Sequence, residues 1–189
     1  MVKSHAVRWE ASAGALLLFA LLYFFDDAGL FSALVPAAAA HELGHAAALR
    51  LGGARIRRVR LGVFGVELGY AGLLSAGRAA FAVAAGPAAG ALYAAAAFLL
   101  GRGGGGSESF WRLSGAVSVA LTAFNLLPAL PLDGGRLVEE LAGGFFARRL
   151  SRATAVFMAI GGVALFAAYR TLSLLAMGLW LCACNFRDS

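Results

Sequence analysis

Charge is what this chain has least of. Asp, Glu, Lys and Arg make up 14% of its 189 residues, while 61% are hydrophobic. A soluble globular protein carries roughly 25% charged and 45–50% apolar residues. So few charges leave too little polar surface to cover an ordinary water-soluble domain, and a mean hydropathy of +0.79 agrees. Cysteine is scarce as well. Cys182 and Cys184 stand two residues apart in the last apolar run, which excludes a disulfide scaffold. A lone C-x-C with no Cys or His nearby is a weak metal signal, and both read as buried membrane side chains. Acidic residues are fewer than basic ones, ten against sixteen, for a net charge of +6. Nucleic acid is not the expected partner, because the basic residues fall between apolar runs rather than on one soluble face. No repeat array and no terminal soluble domain is evident.

Long apolar runs are what the chain has instead. Segments 9–25, 28–50, 77–100, 110–131, 152–169 and 171–186 carry almost no charge. A helix of such composition crosses a hydrocarbon core of about 30 Å in about 20 residues. The fold class expected is therefore an all-α polytopic membrane protein of about six spans, forming a single domain over 1–189. Its core would cover about 28–135, and a C-terminal helical hairpin about 150–187. The last two runs are short and separated only by "YRT"; tilt and local thinning would accommodate them. A cleaved signal peptide is disfavoured for the first run, whose apolar core is long and whose small-residue site "PAAAAHE" lies far downstream.

Six spans put both termini on one side, and the basic residues choose it. With the N-terminus inside, the inner segments hold Lys3, Arg8, Arg50, the four arginines of "RIRRVR", Arg78, Arg136, Arg148, Arg149, Arg152 and Arg187. The outer segments hold Arg102, Arg112 and Arg170. That asymmetry predicts cytoplasmic termini. Asp26 and Asp27 then mark the first outer turn, and "GRGGGGSES" a flexible outer loop.

Against this apolar background, "PAAAAHELGHAAALR" at 36–50 stands out. His41 and His45 are i and i+4, so one helical face presents both imidazoles to a common point. Glu42 projects beside that point without being a ligand. This is the H-E-x-x-H arrangement, two zinc ligands and a general base. Ionisable groups at mid-span each cost about 2.5–3.5 kcal/mol on insertion scales, so three together require a function to keep them. A buried structural histidine would account for one imidazole, not for a spaced pair.

A catalytic zinc of this type takes a third protein ligand and leaves a fourth position open. His5 is in the N-terminal tail, so a carboxylate is expected. Asp26 and Asp27 lie at the outer boundary, Glu139 and Glu140 follow a loop, and Asp133 ends the fourth span in "FNLLPALPLDGGR". There Pro128 and Pro131 must interrupt the helix, since proline lacks the amide donor and clashes with the preceding turn. Gly134 and Gly135 would permit a sharp turn. Backbone broken at membrane depth persists only where protein or a wet cavity covers it. Depth is informative too. The histidines fall roughly 8–14 Å before the inner boundary at 1.5 Å per residue, and Asp133 falls near the inner end of its own span.

The pairing of "HELGH" with "NLLPALPLDGG" resembles the site-2 protease family of intramembrane zinc metalloproteases. The resemblance implies one zinc ion per chain, bound by His41, His45 and Asp133, with Glu42 activating water. Asn125 matches the motif's asparagine, whose amide would orient substrate or steady the oxyanion. "AAGPAAG" resembles the family's third-span A-G-P-x-x-N signature through Ala85, Gly86 and Pro87, with Gly90 where asparagine is usual. Small size, six spans and an inward-facing site are most like the branch containing stage IV sporulation protein FB, whose members cleave a membrane-associated pro-sigma factor. The implied partners are a membrane-associated protein substrate, the lipid bilayer and an inhibitory or gating membrane protein.

"RIRRVRLGVFGVELGYAG" does not read as a helix. Val63, Phe64, Val66 and Leu68 with interleaved glycines predict a β-hairpin or re-entrant strand, with Glu67 at its polar tip. It is either an edge for an extended substrate or an ordinary surface hairpin, and its arginines would anchor it to anionic headgroups. Two other function classes compete with a protease. A metal transporter needs ligands along a route through both leaflets, and the outer half has none. A non-catalytic membrane scaffold would not need the intact motif.

Overall fold

The computed structural model describes residues 7–26, 28–62, 65–103 and 106–187. Lys3, His5, Asp27, Val63 and Phe64, each given a role above, lie outside the described residues. The chain divides into two compact units, residues 1–122 and 123–189.

The first unit opens with β1 (Arg8–Ala11) and α1 (Ala13–Phe24). The first apolar run was expected to be helical from residue 9. Instead the helix starts after Ser12, whose hydroxyl accepts the Ala15 N–H at 3.1 Å and so satisfies an otherwise orphaned donor. Asp26 does similar work at the next turn, accepting the Phe31 N–H at 2.9 Å beside the start of α2 (Leu30–Leu51). Next come β2 (Arg55–Gly62), β3 (Gly65–Ala71), α3 (Ala76–Leu100) and α4 (Glu108–Asn125). Helices α2 and α3 pack through small residues. Ala33, Ala37 and Ala48 are buried on the former, Ala82, Gly86, Gly90, Ala94 and Ala97 on the latter. Without bulky side chains in the seam, two apolar backbones approach closely, as helices in lipid do.

The β-hairpin expected between the second and third runs is present as β2 and β3, and β1, which was not expected, extends it to a three-stranded sheet of order β1-β2-β3. Strand β1 runs parallel to β2, and β2 antiparallel to β3. Alternation gives the sheet two characters. Glu10, Arg60 and Glu67 share a register on one side, and Trp9, Val59 and Leu68 on the other. Leu68 packs against the cluster of Ala48, Leu49, Ala54 and Ala82, which seats the sheet on α2 and α3. Glu67 is not a tip residue as expected; it lies within β3, 3.7 Å from Arg60. A β-bulge between Ile56 and Arg58 takes Arg57 out of the pairing.

The second unit begins as α4 ends. The fourth apolar run extends to residue 131, and the interruption expected at Pro128 and Pro131 is present: the helix stops at Asn125, ahead of both prolines. After the turn come α5 (Asp133–Ala142), α6 (Gly144–Tyr169) and α7 (Ser173–Phe186). Helix α6 begins eight residues before the expected 152, through the basic stretch "FFARRLSR". It reverses into α7 at Arg170, whose φ of 59° is left-handed, as the expected hairpin requires. Ala129, Leu132, Ala155 and Leu181 form this unit's core.

Among the described residues, α3 and α6 are long and apolar enough to cross a membrane; α1 and α7 are shorter apolar helices of 12 and 14 residues.

Candidate metal centre

His41 is buried on α2 and His45, one turn later, half-buried. Their rings meet edge to face, with centroids 4.9 Å apart. The Nδ1–H of His45 donates to the carbonyl of Ala82 on α3 at 2.8 Å. A carbonyl can only accept, so this bond sets the neutral ring's tautomer and makes Nε2 the nitrogen that carries the lone pair. The two Nε2 atoms stand 3.3 Å apart. Ligand nitrogens bound tetrahedrally to zinc, at roughly 2.0–2.1 Å each, are separated by about 3.3 Å. The imidazole pair therefore has the spacing that a shared zinc ion demands.

Helix α3 makes room for this ring. A Cβ added at Gly86 would overlap Nε2, Cε1 and Cδ2 of His45, so the imidazole lies flat where any larger residue would project. Pro87 follows directly and is also buried. Glu42, next along α2, is half-buried.

Asp133 is largely buried and opens α5. Its position follows from the preceding turn, which is irregular yet heavily bonded. The Leu130 N–H donates to Ser151 Oγ at 2.9 Å, and Thr154 Oγ1 donates to the Pro128 carbonyl at 3.4 Å. The Asn185 amide donates to the Leu130 carbonyl at 2.7 Å and to the Leu181 carbonyl at 2.9 Å. Gly134 and Gly135 are helical rather than the expected turn formers. Added Cβ atoms there would strike the backbone of Leu126, Leu127, Ala129 and Leu130. They are small because the turn folds back over the first turn of α5. Asn125, the last residue of α4, is half-buried.

Among the described residues, His41, His45 and Asp133 are the group of histidine and acidic side chains that could hold a metal ion. Ala82, Gly86, Ser151 and Asn185 support these residues and were not identified from sequence as doing so. A backbone carbonyl has no sequence signal, and Gly86 entered only through a resemblance. Ser151 and Asn185 could have been flagged as polar residues in or beside apolar runs.

Two imidazoles one turn apart with a carboxylate between them, on a helix of an apolar fold, make up the H-E-x-x-H arrangement. The chain is similar in sequence to peptidase family M50, the site-2 protease family. Residues 103–169 match the model of peptidase family M50. Rip3 of Mycobacterium tuberculosis, named as a zinc metalloprotease, is 33% identical over 180 residues, covering 86% of this chain and 44% of Rip3. A second protein so named, from Synechocystis sp., is 34% identical over 122 residues, covering 60% of this chain and 31% of its own length. This chain thus spans less than half of either relative. The solved site-2 protease of Methanocaldococcus jannaschii shares the fold, with a TM-score of 0.69 at 19% identity, over 100% of this chain and 94% of that one.

Proposed function

We propose that the chain is a multi-pass intramembrane zinc endopeptidase that hydrolyses a peptide bond of a membrane-associated protein near the inner membrane face. The observation that carries this reading is the imidazole pair, with Nε2 atoms 3.3 Å apart and one ring's tautomer fixed by Ala82. His41, His45 and Asp133 would hold one zinc ion, which when bound lowers the pKa of water and polarises a scissile carbonyl. Glu42 takes a proton on its carboxylate from the attacking water and returns it to the leaving amine. The Asn125 amide donates to the substrate carbonyl and holds it in line for attack. Six spans with both termini in the cytoplasm would place this chemistry toward the inner leaflet, in one integral-membrane catalytic domain.

Proteolysis needs an extended peptide. Among the described residues β3 pairs with β2 alone, so its outer edge is open to strand addition by substrate. The substrate class proposed is a regulator tied to the membrane, such as a pro-sigma factor, with a further membrane protein gating access. Replacing Glu42 with Gln removes the base and leaves the ligands. Purified E42Q should keep its zinc and lose cleavage of a co-expressed membrane substrate by about 10²–10⁴-fold. Cleavage at the wild-type rate with zinc bound would remove Glu42 from this role.

A further inference from the structure

Thr122 Oγ1 is buried and has no hydrogen-bond partner. Buried hydroxyls are nearly always paired, so an orphan calls for a reason. Its surroundings supply one. A Cβ built on Gly90 of α3 would lie 2.5 Å from Thr122 Oγ1, 3.5 Å from Nδ1 of His41 and 3.8 Å from Ser118 Oγ. The bare α-carbon of Gly90 therefore leaves one small space bordered by two hydroxyls of α4 and by the ring nitrogen of His41 that points away from His45. Ser118 is already committed, donating to the Gly90 carbonyl at 2.8 Å. Thr122 is not.

A metal-ligating histidine almost always donates its second ring N–H to an oxygen, which fixes tautomer and ring plane. His45 has the Ala82 carbonyl for this purpose. We infer that the Thr122 hydroxyl is the corresponding acceptor for the Nδ1–H of His41 when that ring ligates through Nε2, making Thr122 a positioning residue of the metal centre. Gly90 is the condition for it, since any side chain there would intrude between hydroxyl and imidazole. This inference rests on the zinc-binding reading above.

The test compares Thr122→Val, which keeps the shape and deletes the hydroxyl, with Thr122→Ser, which keeps the hydroxyl. Both are purified in detergent beside the wild type, and three quantities are read: zinc per chain, the rate of zinc loss to a chelator, and the thermal midpoint of the metal-free protein. T122V should lose zinc roughly 10–100-fold faster, the range for removing such a partner, and T122S should stay near wild type. The metal-free midpoint of T122V should be unchanged or higher, because a buried unpaired hydroxyl has been removed. A purely structural threonine would not combine weaker metal retention with undiminished apo stability. Zinc loss from T122V at the wild-type rate, or equal losses from T122S and T122V, overturns the inference and leaves the zinc site standing. A wild-type protein that binds no zinc overturns both.

Discussion

The histidine pair and the aspartate are held by opposite kinds of structure. His41 and His45 ride on a regular helix, and their common direction follows from 3.6 residues per turn. A hydrogen bond to Ala82 and the bare α-carbon of Gly86 set the ring of His45. Asp133 instead follows a proline-broken turn that no local periodicity specifies. That turn is held by side chains of Ser151, Thr154 and Asn185, from two later helices. Where the backbone is regular, packing suffices to place a ligand. Where it is broken, each freed carbonyl and amide needs a named partner, because none can turn to water in an apolar surrounding.

This contrast makes the two regions vulnerable to different changes. The largest effect is expected at Gly86. Gly86→Ala puts a methyl where the His45 ring lies, so the ring must leave, and zinc content should fall by at least about tenfold. Gly77→Ala on the same helix meets nothing within 4 Å and serves as the control. Equal zinc content in both variants would mean that α3 does not set the ring. A smaller effect is expected at Asn185. Asn185→Leu strips the Leu130 carbonyl of its amide donor, a loss of about 1–3 kcal/mol for a buried acceptor. Hydrogen exchange should accelerate across residues 126–132 while α2 keeps its protection. Uniform acceleration in both regions would erase the distinction between periodic and bonded placement.

The same contrast explains what could be read from sequence. Helices α2 and α3 fall within two residues of the runs expected, since long apolar stretches bounded by glycine and arginine have one physical solution. The H-E-x-x-H face was legible for the same reason. So was the break after Asn125, because proline forbids the helix wherever it occurs. Strand β1 was not legible: four residues with an exposed pattern become a strand only because Arg55–Gly62 lies alongside. The true start of α6 was hidden by its basic first turns, which interrupt apolarity without interrupting the helix. Gly134 and Gly135 were recognised as special for the wrong cause, as turn formers rather than as a surface for close approach. Ser151 and Asn185 act across a distance in sequence that no motif spans.

The account stands on His41, His45 and Asp133 sharing one divalent ion. Elemental analysis of the purified wild type and of Asp133→Ala, prepared side by side in detergent, addresses that directly. The account predicts one zinc per wild-type chain and a marked deficit in the variant, with its helical content unchanged. Full zinc occupancy without the Asp133 carboxylate would contradict it and assign the third ligand elsewhere.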